Sequence, residues 1–360
     1  MLLAWPACAD KLKITFVVPD GKGPLFWNLV ADIAQAAADD LEVELETLYS
    51  DSHRFGSKLA IEAIIKRDIK PDFVIFRPFH GNAIEVFDLL EKNQIPFVTL
   101  EQAFVGKEAE AIGSPQQTYS HWLGQINYDN RAGGQLLTEA LLKHHTRRMP
   151  QKIMRITGIG GDFDAISKSR QAYLEAPMAH TEQVLVNQIF PMYWSPAMVR
   201  QRFADIHNRY PNTTAYWCAG DQMALEVIKQ LKLLTGPVAQ NILIGGFDWL
   251  PQALEKIHRG EMTASVGGHF LMAAAAVVRI VDYHQGLNYF LANSTTERLE
   301  LIDSDNIAVY FPFLDKAPWP EIDYRQFSAT KNSQGKAKAM TVGNLLEAYS
   351  QISLQGLSHH

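Results

Sequence analysis

The residues in this sequence that could do chemistry recur at one kind of place, just after a short apolar run. Phe26 and Trp27 follow the run 14–18 and the turn Pro19-Asp20-Gly21. Arg77 follows 72–76, Glu101 and Gln102 follow 96–100, and Asn127 and Asp129 flank Tyr128. Asp162, Asp164 and Arg170 come after the run at 152–156 and its glycines. Trp194, Asp221, Asp248, Trp249 and His269 come after later runs. Carboxylates accept paired hydrogen bonds from vicinal hydroxyls, and arginine donates several from a fixed fork. Aromatic faces suit the apolar face of a ring whose rim carries hydroxyls. Each residue alone also has a structural explanation. Asp221 and Asp248 stand where helix N-caps stand, helical Arg170 suits an ion pair, and His269 suits a hydrogen-bonded core position. Phe26 and Trp27 either stack on a ligand or pack beneath their helix. As a set the residues point to a small, polar, hydroxyl-bearing ligand.

Enzyme signatures do not assemble beside them. Gly158-Ile159-Gly160-Gly161 follows a strand and precedes a helix, but it lacks both the Lys-Ser/Thr ending of a phosphate loop and the dinucleotide spacing. No His-x-x-x-His pair or Cys-x-x-Cys indicates a metal, and no Gly-x-Ser-x-Gly elbow is present. The expectation is a binding protein without cofactor or metal, and not an enzyme. A formal net charge of -6 argues against a nucleic-acid partner. No apolar stretch approaches the roughly 20 residues of a membrane span. The beginning of the chain reads as the end of a secretory signal, with Ala7-Cys8-Ala9 as a small-x-small cleavage site before Asp10; an unstructured cytoplasmic tail is the alternative. Cys218, inside the apolar run 215–219, is expected to be buried.

Positioning these residues falls to two similar series of elements. Short β-branched runs bounded by turn residues read as strands buried on both faces, at 14–18, 42–49, 72–76, 96–100 and 126–129, then at 152–156, 183–189, 214–218, 241–244 and 263–266. Helical periodicity fills the intervals, at 55–66, 83–90, 132–142, 165–174, 196–210, 221–233, 250–258 and 271–281. Residues 106–117 read as loop. The fold class is α/β, with two doubly wound parallel-sheet lobes joined by a hinge of short crossing segments. In such sheets ligands bind outside the carboxyl ends of the strands, which is where the polar and aromatic residues stand. From Ala317 onward the pattern fades, and the tail is expected to wrap the surface or be partly disordered.

An ordered set of segments from Lys11 to Ile307 resembles the periplasmic sugar-binding proteins of the ribose/galactose type, the type I periplasmic binding proteins. The set comprises Pro24-Leu25-Phe26-Trp27, Ile95-Pro96-Phe97-Val98-Thr99-Leu100-Glu101 and Tyr128-Asp129-Asn130-Arg131-Ala132-Gly133-Gly134. It continues with Ser169-Arg170-Gln171-Ala172-Tyr173, Ala219-Gly220-Asp221-Gln222-Met223-Ala224-Leu225 and Ile244-Gly245-Gly246-Phe247-Asp248. The resemblance implies that Phe26 and Trp27 sandwich a ligand ring against Trp194. It places Glu101 where the family has an aspartate, Gln102 where an arginine is common, and Arg170 and Asp248 on the hydroxyl-binding pair. Gly220 stands for the usual asparagine, Gly268 for a polar contact residue and Pro24 for an asparagine before the aromatics, with His269 taking over from Gly268. The ligand is therefore a monosaccharide or related polyol other than ribose or galactose in the usual pose. The implied organisation is a signal remnant at 1–9, one lobe at 10–127 plus 270–298, a second at 128–269 plus 299–315, and a tail at 316–360. The implied setting is the periplasm, with a monomer delivering its ligand to an inner-membrane ABC permease. The chain is also similar to the autoinducer-2 receptor, through Trp27 and Arg170, which implies a membrane sensor as the alternative partner.

Overall fold

The computed structural model describes residues 11–22, 25–50, 54–101, 104–176, 182–235, 241–292 and 296–357; the signal segment, Pro24 and Gln102 lie outside them. The first series runs β1 (Lys13–Val18), α1 (Leu25–Asp40), β2 (Glu44–Tyr49), α2 (Arg54–Ile65), β3 (Phe73–Phe76), α3 (Ala83–Lys92), β4 (Phe97–Leu100), α4 (Gly106–Ile112) and β5 (Trp122–Tyr128). The second runs α5 (Asn130–Arg148), β6 (Met154–Gly160), α6 (Ala165–Glu175), β7 (Val184–Pro191), α7 (Pro196–Arg209), β8 (Ala215–Cys218), α8 (Asp221–Thr235), β9 (Leu243–Phe247), α9 (Pro251–His258) and β10 (Ala264–Gly267). The chain then forms α10 (Met272–His284), α11 (Tyr289–Ala292), β11 (Thr296–Glu297), β12 (Glu300–Asp303), α12 (Ile307–Lys316) and, near its end, α13 (Val342–Leu357).

The strands make two sheets of six, ordered β2-β1-β3-β4-β5-β11 and β7-β6-β8-β9-β10-β12. The same winding is thus used twice. The first sheet is parallel throughout. In the second, β12 alone runs antiparallel, against β10. Apolar strands such as β3, β4, β8 and β9 are buried along their whole length, as expected where helices cover both faces. β2 lies at a sheet edge and alternates in exposure. The chain passes between the sheets after β5, after β10 and between β11 and β12. Gly134 on α5 sets how closely α6 can approach: a Cβ there would lie 1.8 Å from the Arg170 carbonyl oxygen. That contact fixes the helix that carries Arg170. Among the described residues no helix is long and apolar enough to cross a membrane.

Two expectations need correction. Within 106–117 the chain forms α4, a helix of 7 residues with one buried side chain, Ile112. It is too short and polar to show a period. The tail also packs more fully than expected. Trp319, Ile322, Tyr324, Phe327, Val342 and Leu345 are buried in the main core. The Tyr324 N–H donates to Asp40 at the end of α1, while Ser328, Ala329 and Thr330 all donate to Asp282 on α10. Cys218 is buried and unpaired, and burial pushes its thiol pKa up.

Candidate ligand cleft

The carboxyl ends of both sheets face a cavity of about 490 Å³. Its first wall carries Phe26 and Trp27 from the start of α1, Arg77 and Phe79 after β3, and Glu101 after β4. Its second wall carries Asp162 and Asp164 after β6, Arg170 on α6, Tyr193 and Trp194 after β7, Gly220 after β8 and Asp248 after β9. His269 comes from the crossing after β10. This placement follows from the winding: every parallel strand delivers its next residues to the same edge.

Arg170 sits at the centre and is only 2% exposed. Its Nε donates to Asn130 at 2.9 Å, and one terminal nitrogen donates to the Ala219 carbonyl at 2.7 Å and to Asp248 at 3.2 Å. The other reaches Glu101 at 3.5 Å and His269 Nε2 at 3.1 Å. All five N–H groups of the fork therefore have protein partners, and the guanidinium also lies 4.5 Å from the Phe247 ring centroid. Arg77 extends the array. It donates to Asp164 at 2.8 Å and stands 3.7 Å from Glu101. The result is an alternating row of Asp164, Arg77, Glu101, Arg170 and Asp248 that ties the two lobes together twice. Asp164 also caps α6, accepting from the Ser167 N–H at 2.7 Å.

The aromatic residues are held from both sides. The Phe26 ring contacts Trp27 edge-on at 5.3 Å and lies 4.8 Å from the His269 ring. Tyr193 and Trp194 are consecutive residues at φ 55° and 57°, and Glu101 and Asp248 also have positive φ, at 60° and 109°. Non-glycine residues hold such backbone only where their surroundings enforce it, and this concentrates at ligand sites. The Trp194 ring occupies the space in which a Cβ on Gly161 would fall, 2.4 Å away.

Not every expected residue reaches the cleft. Asp221 is fully buried below its floor. Its carboxylate accepts from Ser265 Oγ at 2.8 and 3.0 Å and from the Leu250 N–H at 3.0 Å. Burial, and then the charge of Asp248, push its pKa well above the ordinary carboxylate range. Asn127 and Asp129 line a separate cavity on the far side of Glu101; Asp129 caps α5 through the Ala132 N–H at 2.9 Å. Gln102 lies outside the described residues. Asp162, one of the strand-end residues of the sequence, lines the cleft with Trp194. It accepts from the Asp164 N–H at 2.9 Å. Burial, and then Asp164, raise its pKa. Away from the cleft, His144, Asp303 and Asp305 bring potential metal ligand atoms within 4.8 Å of one another. Lys143 and Arg147 already neutralise that group.

Residues 14–287 match the family described as periplasmic binding protein domain, and the chain belongs to that family, in its type I, ribose/galactose-type form. No curated protein sequence matches the chain significantly. Among solved structures it is similar to a periplasmic sugar-binding protein from Pseudomonas fluorescens, with 21% identity and a TM-score of 0.79 over 93% of this chain and 99% of that one. It is also similar to an ABC transporter periplasmic solute-binding protein from Actinobacillus succinogenes with bound D-allose, at 17% identity and a TM-score of 0.70 over 83% and 100% of the two chains. A third is an ABC transporter solute-binding protein from Bacillus halodurans with bound myo-inositol, at 16% identity and a TM-score of 0.68 over 85% and 99%. At these identities the likeness is one of fold.

Proposed function

We propose that this protein is a periplasmic receptor that closes its two lobes on one monosaccharide-sized, hydroxyl-bearing molecule and delivers it to an inner-membrane ABC permease. The observation that carries the proposal is the cleft itself. Phe26 and Trp27 stand on one wall and Trp194 on the other, with carboxylates and arginines of both lobes between them. Aromatic faces recognise the C–H face of a sugar ring, and charged groups strengthen hydrogen bonds to its hydroxyls. D-allose and myo-inositol, bound by two of the structural relatives, are of this class. The two inter-lobe ties, Arg77 to Asp164 and Arg170 to Glu101, give closure a physical basis, since a ligand favours closure only through contacts made better in the closed state. The alternative of a membrane-sensor partner rests on the likeness at Trp27 and Arg170, with a long tail free to dock as a modest further argument. The tail residues described here are packed against α1 and α10, which weakens that argument.

Calorimetric titration with aldohexoses, pentoses, inositols and their amino derivatives tests the proposal. Saturable one-to-one binding of at least one member, with loss of affinity in Trp27→Ala, is the expected result. No binding by any member at millimolar concentration would overturn it.

A further inference from the structure

Charge in the cleft is unbalanced. Glu101, Asp162, Asp164 and Asp248 line it together with two guanidinium groups, Arg77 and Arg170. The row from Asp164 to Asp248 places both arginines between three of the acids, so neither is left over for Asp162. Asp162 stands outside that row. It accepts from a neutral donor, the Asp164 N–H, and the Asp164 carboxyl group, itself held by Arg77, lies two residues along the chain. His269, also in the wall, is 1% exposed and its Nδ1 has no hydrogen-bond partner. This polar atom is buried at the site and unsatisfied by the protein. The walls are also rich in aromatic faces, Phe26, Trp27, Phe79, Tyr193 and Trp194, which attract cations as well as sugar rings.

We propose that the ligand carries a protonated amine beside its hydroxyl groups, as an amino sugar does, and that Asp162 is the acceptor of that ammonium group. The inference deepens the sugar-receptor reading and rests on it. An ammonium group placed against Asp162 forms a charge-assisted hydrogen bond and offsets both like-charge repulsion from Asp164 and the cost of desolvating the carboxylate. A neutral hydroxyl supplies only an ordinary hydrogen bond and leaves the excess charge in place. The upward pKa shift at Asp162 is what an anion lacking its counter-charge shows. Selection of this kind is lost when the nitrogen is acylated, because acylation removes the charge while keeping the ring.

The test compares D-glucosamine and D-galactosamine with the parent hexoses and with the N-acetyl forms, by titration calorimetry on the full chain and on Asp162→Asn. At least one amino sugar is expected to bind tenfold or more tightly than its neutral counterparts. In Asp162→Asn that ratio should fall by about tenfold, with the ligand-free melting temperature confirming that the variant is folded. Neutral sugars binding as well as, or better than, their amines would overturn the inference and leave the sugar-receptor reading standing. A ratio unchanged in folded Asp162→Asn would overturn the role of Asp162. Binding by no sugar, charged or neutral, would overturn both readings together.

Discussion

Asp221 and Asp248 follow adjacent parallel strands of the same sheet, four residues or fewer from apolar runs of the same kind, yet the structure uses them differently. Asp221 accepts from the single Ser265 hydroxyl, which faces both of its oxygens, and from the Leu250 N–H, and is sealed from the cleft. Asp248 holds one carboxylate oxygen against Arg170 and His269 and lines the cavity. A side chain in place of Gly220 would meet its other oxygen at 3.2 Å. What separates the two is a hydroxyl on the neighbouring strand, Ser265 on β10, which holds Asp221 in the core. A carboxyl group enclosed with the protein's own donors holds the frame; one with an oxygen at an open cleft is available to a ligand.

The largest effect expected from this distinction lies at Arg170, which belongs to both sides of it. Because its whole fork is engaged by protein, Arg170→Ala should weaken ligand-free stability by about 3–5 kcal/mol, the cost of leaving buried charges without their partner, and weaken ligand binding too. Urea unfolding together with titration calorimetry measures both. A loss of affinity with unchanged stability would show that the fork serves the ligand instead of the frame.

Next, Asp221→Ala should cost about 2–4 kcal/mol through buried donors left unsatisfied. Asp248→Ala should cost less stability and at least tenfold in ligand affinity. The same two measurements on this pair would collapse the comparison if the losses were reversed.

The third expectation concerns pH. The folded pKa of Asp221 lies above its unfolded value, so the folded state holds the proton more tightly. The contribution of this group to stability is therefore complete below about pH 3.9, the unfolded aspartate value, and is lost as pH rises through the folded pKa. Asp221→Asn keeps the hydrogen-bonding shape without the titration. Its melting temperature should gain on the parent's as pH rises from 4 toward neutrality, and parallel melting curves across that range would refute the argument.

The smallest effect belongs to Asp129, whose role is a helix cap. Asp129→Ala should cost about 1 kcal/mol with ligand affinity unchanged, and a loss of affinity would bring the neighbouring cavity into the site.

The same comparison shows how far the sequence could be read. Strands such as β1 and β3 announce themselves because burial on both faces demands uninterrupted apolar residues, and from them the winding and the cleft edge follow. Phe26, Arg77, Glu101 and Asp248 were legible because each comes just after such a strand. The structural role of Asp221 was not, since Ser265 is 44 residues away and carries no pattern of its own. Nor was the left-handed pair Tyr193 and Trp194, whose φ angles are imposed by packing and not by residue type. The tail hid its buried residues among prolines and polar positions, so no period revealed Trp319 or Tyr324.

That tail has a consequence for the order in which the molecule can be completed. α12 packs on α9 of the second lobe, and its Phe313 meets the edge of Trp319. Five residues later the chain reaches α1, where the hydrogen bond from Tyr324 to Asp40 closes a separation of 284 residues. The edge strand β11, too, joins β5 only after five of the six strands of the second sheet have been made. The lobe synthesised first is therefore finished last. Its outer helices and one sheet edge wait for residues that emerge at the end of translation, and contacts of such separation form slowly because loop closure must precede them. A nascent chain of this design stays incompletely folded until nearly its full length is available, with α1 and α10 still uncovered, and so remains open to whatever must handle it before folding ends.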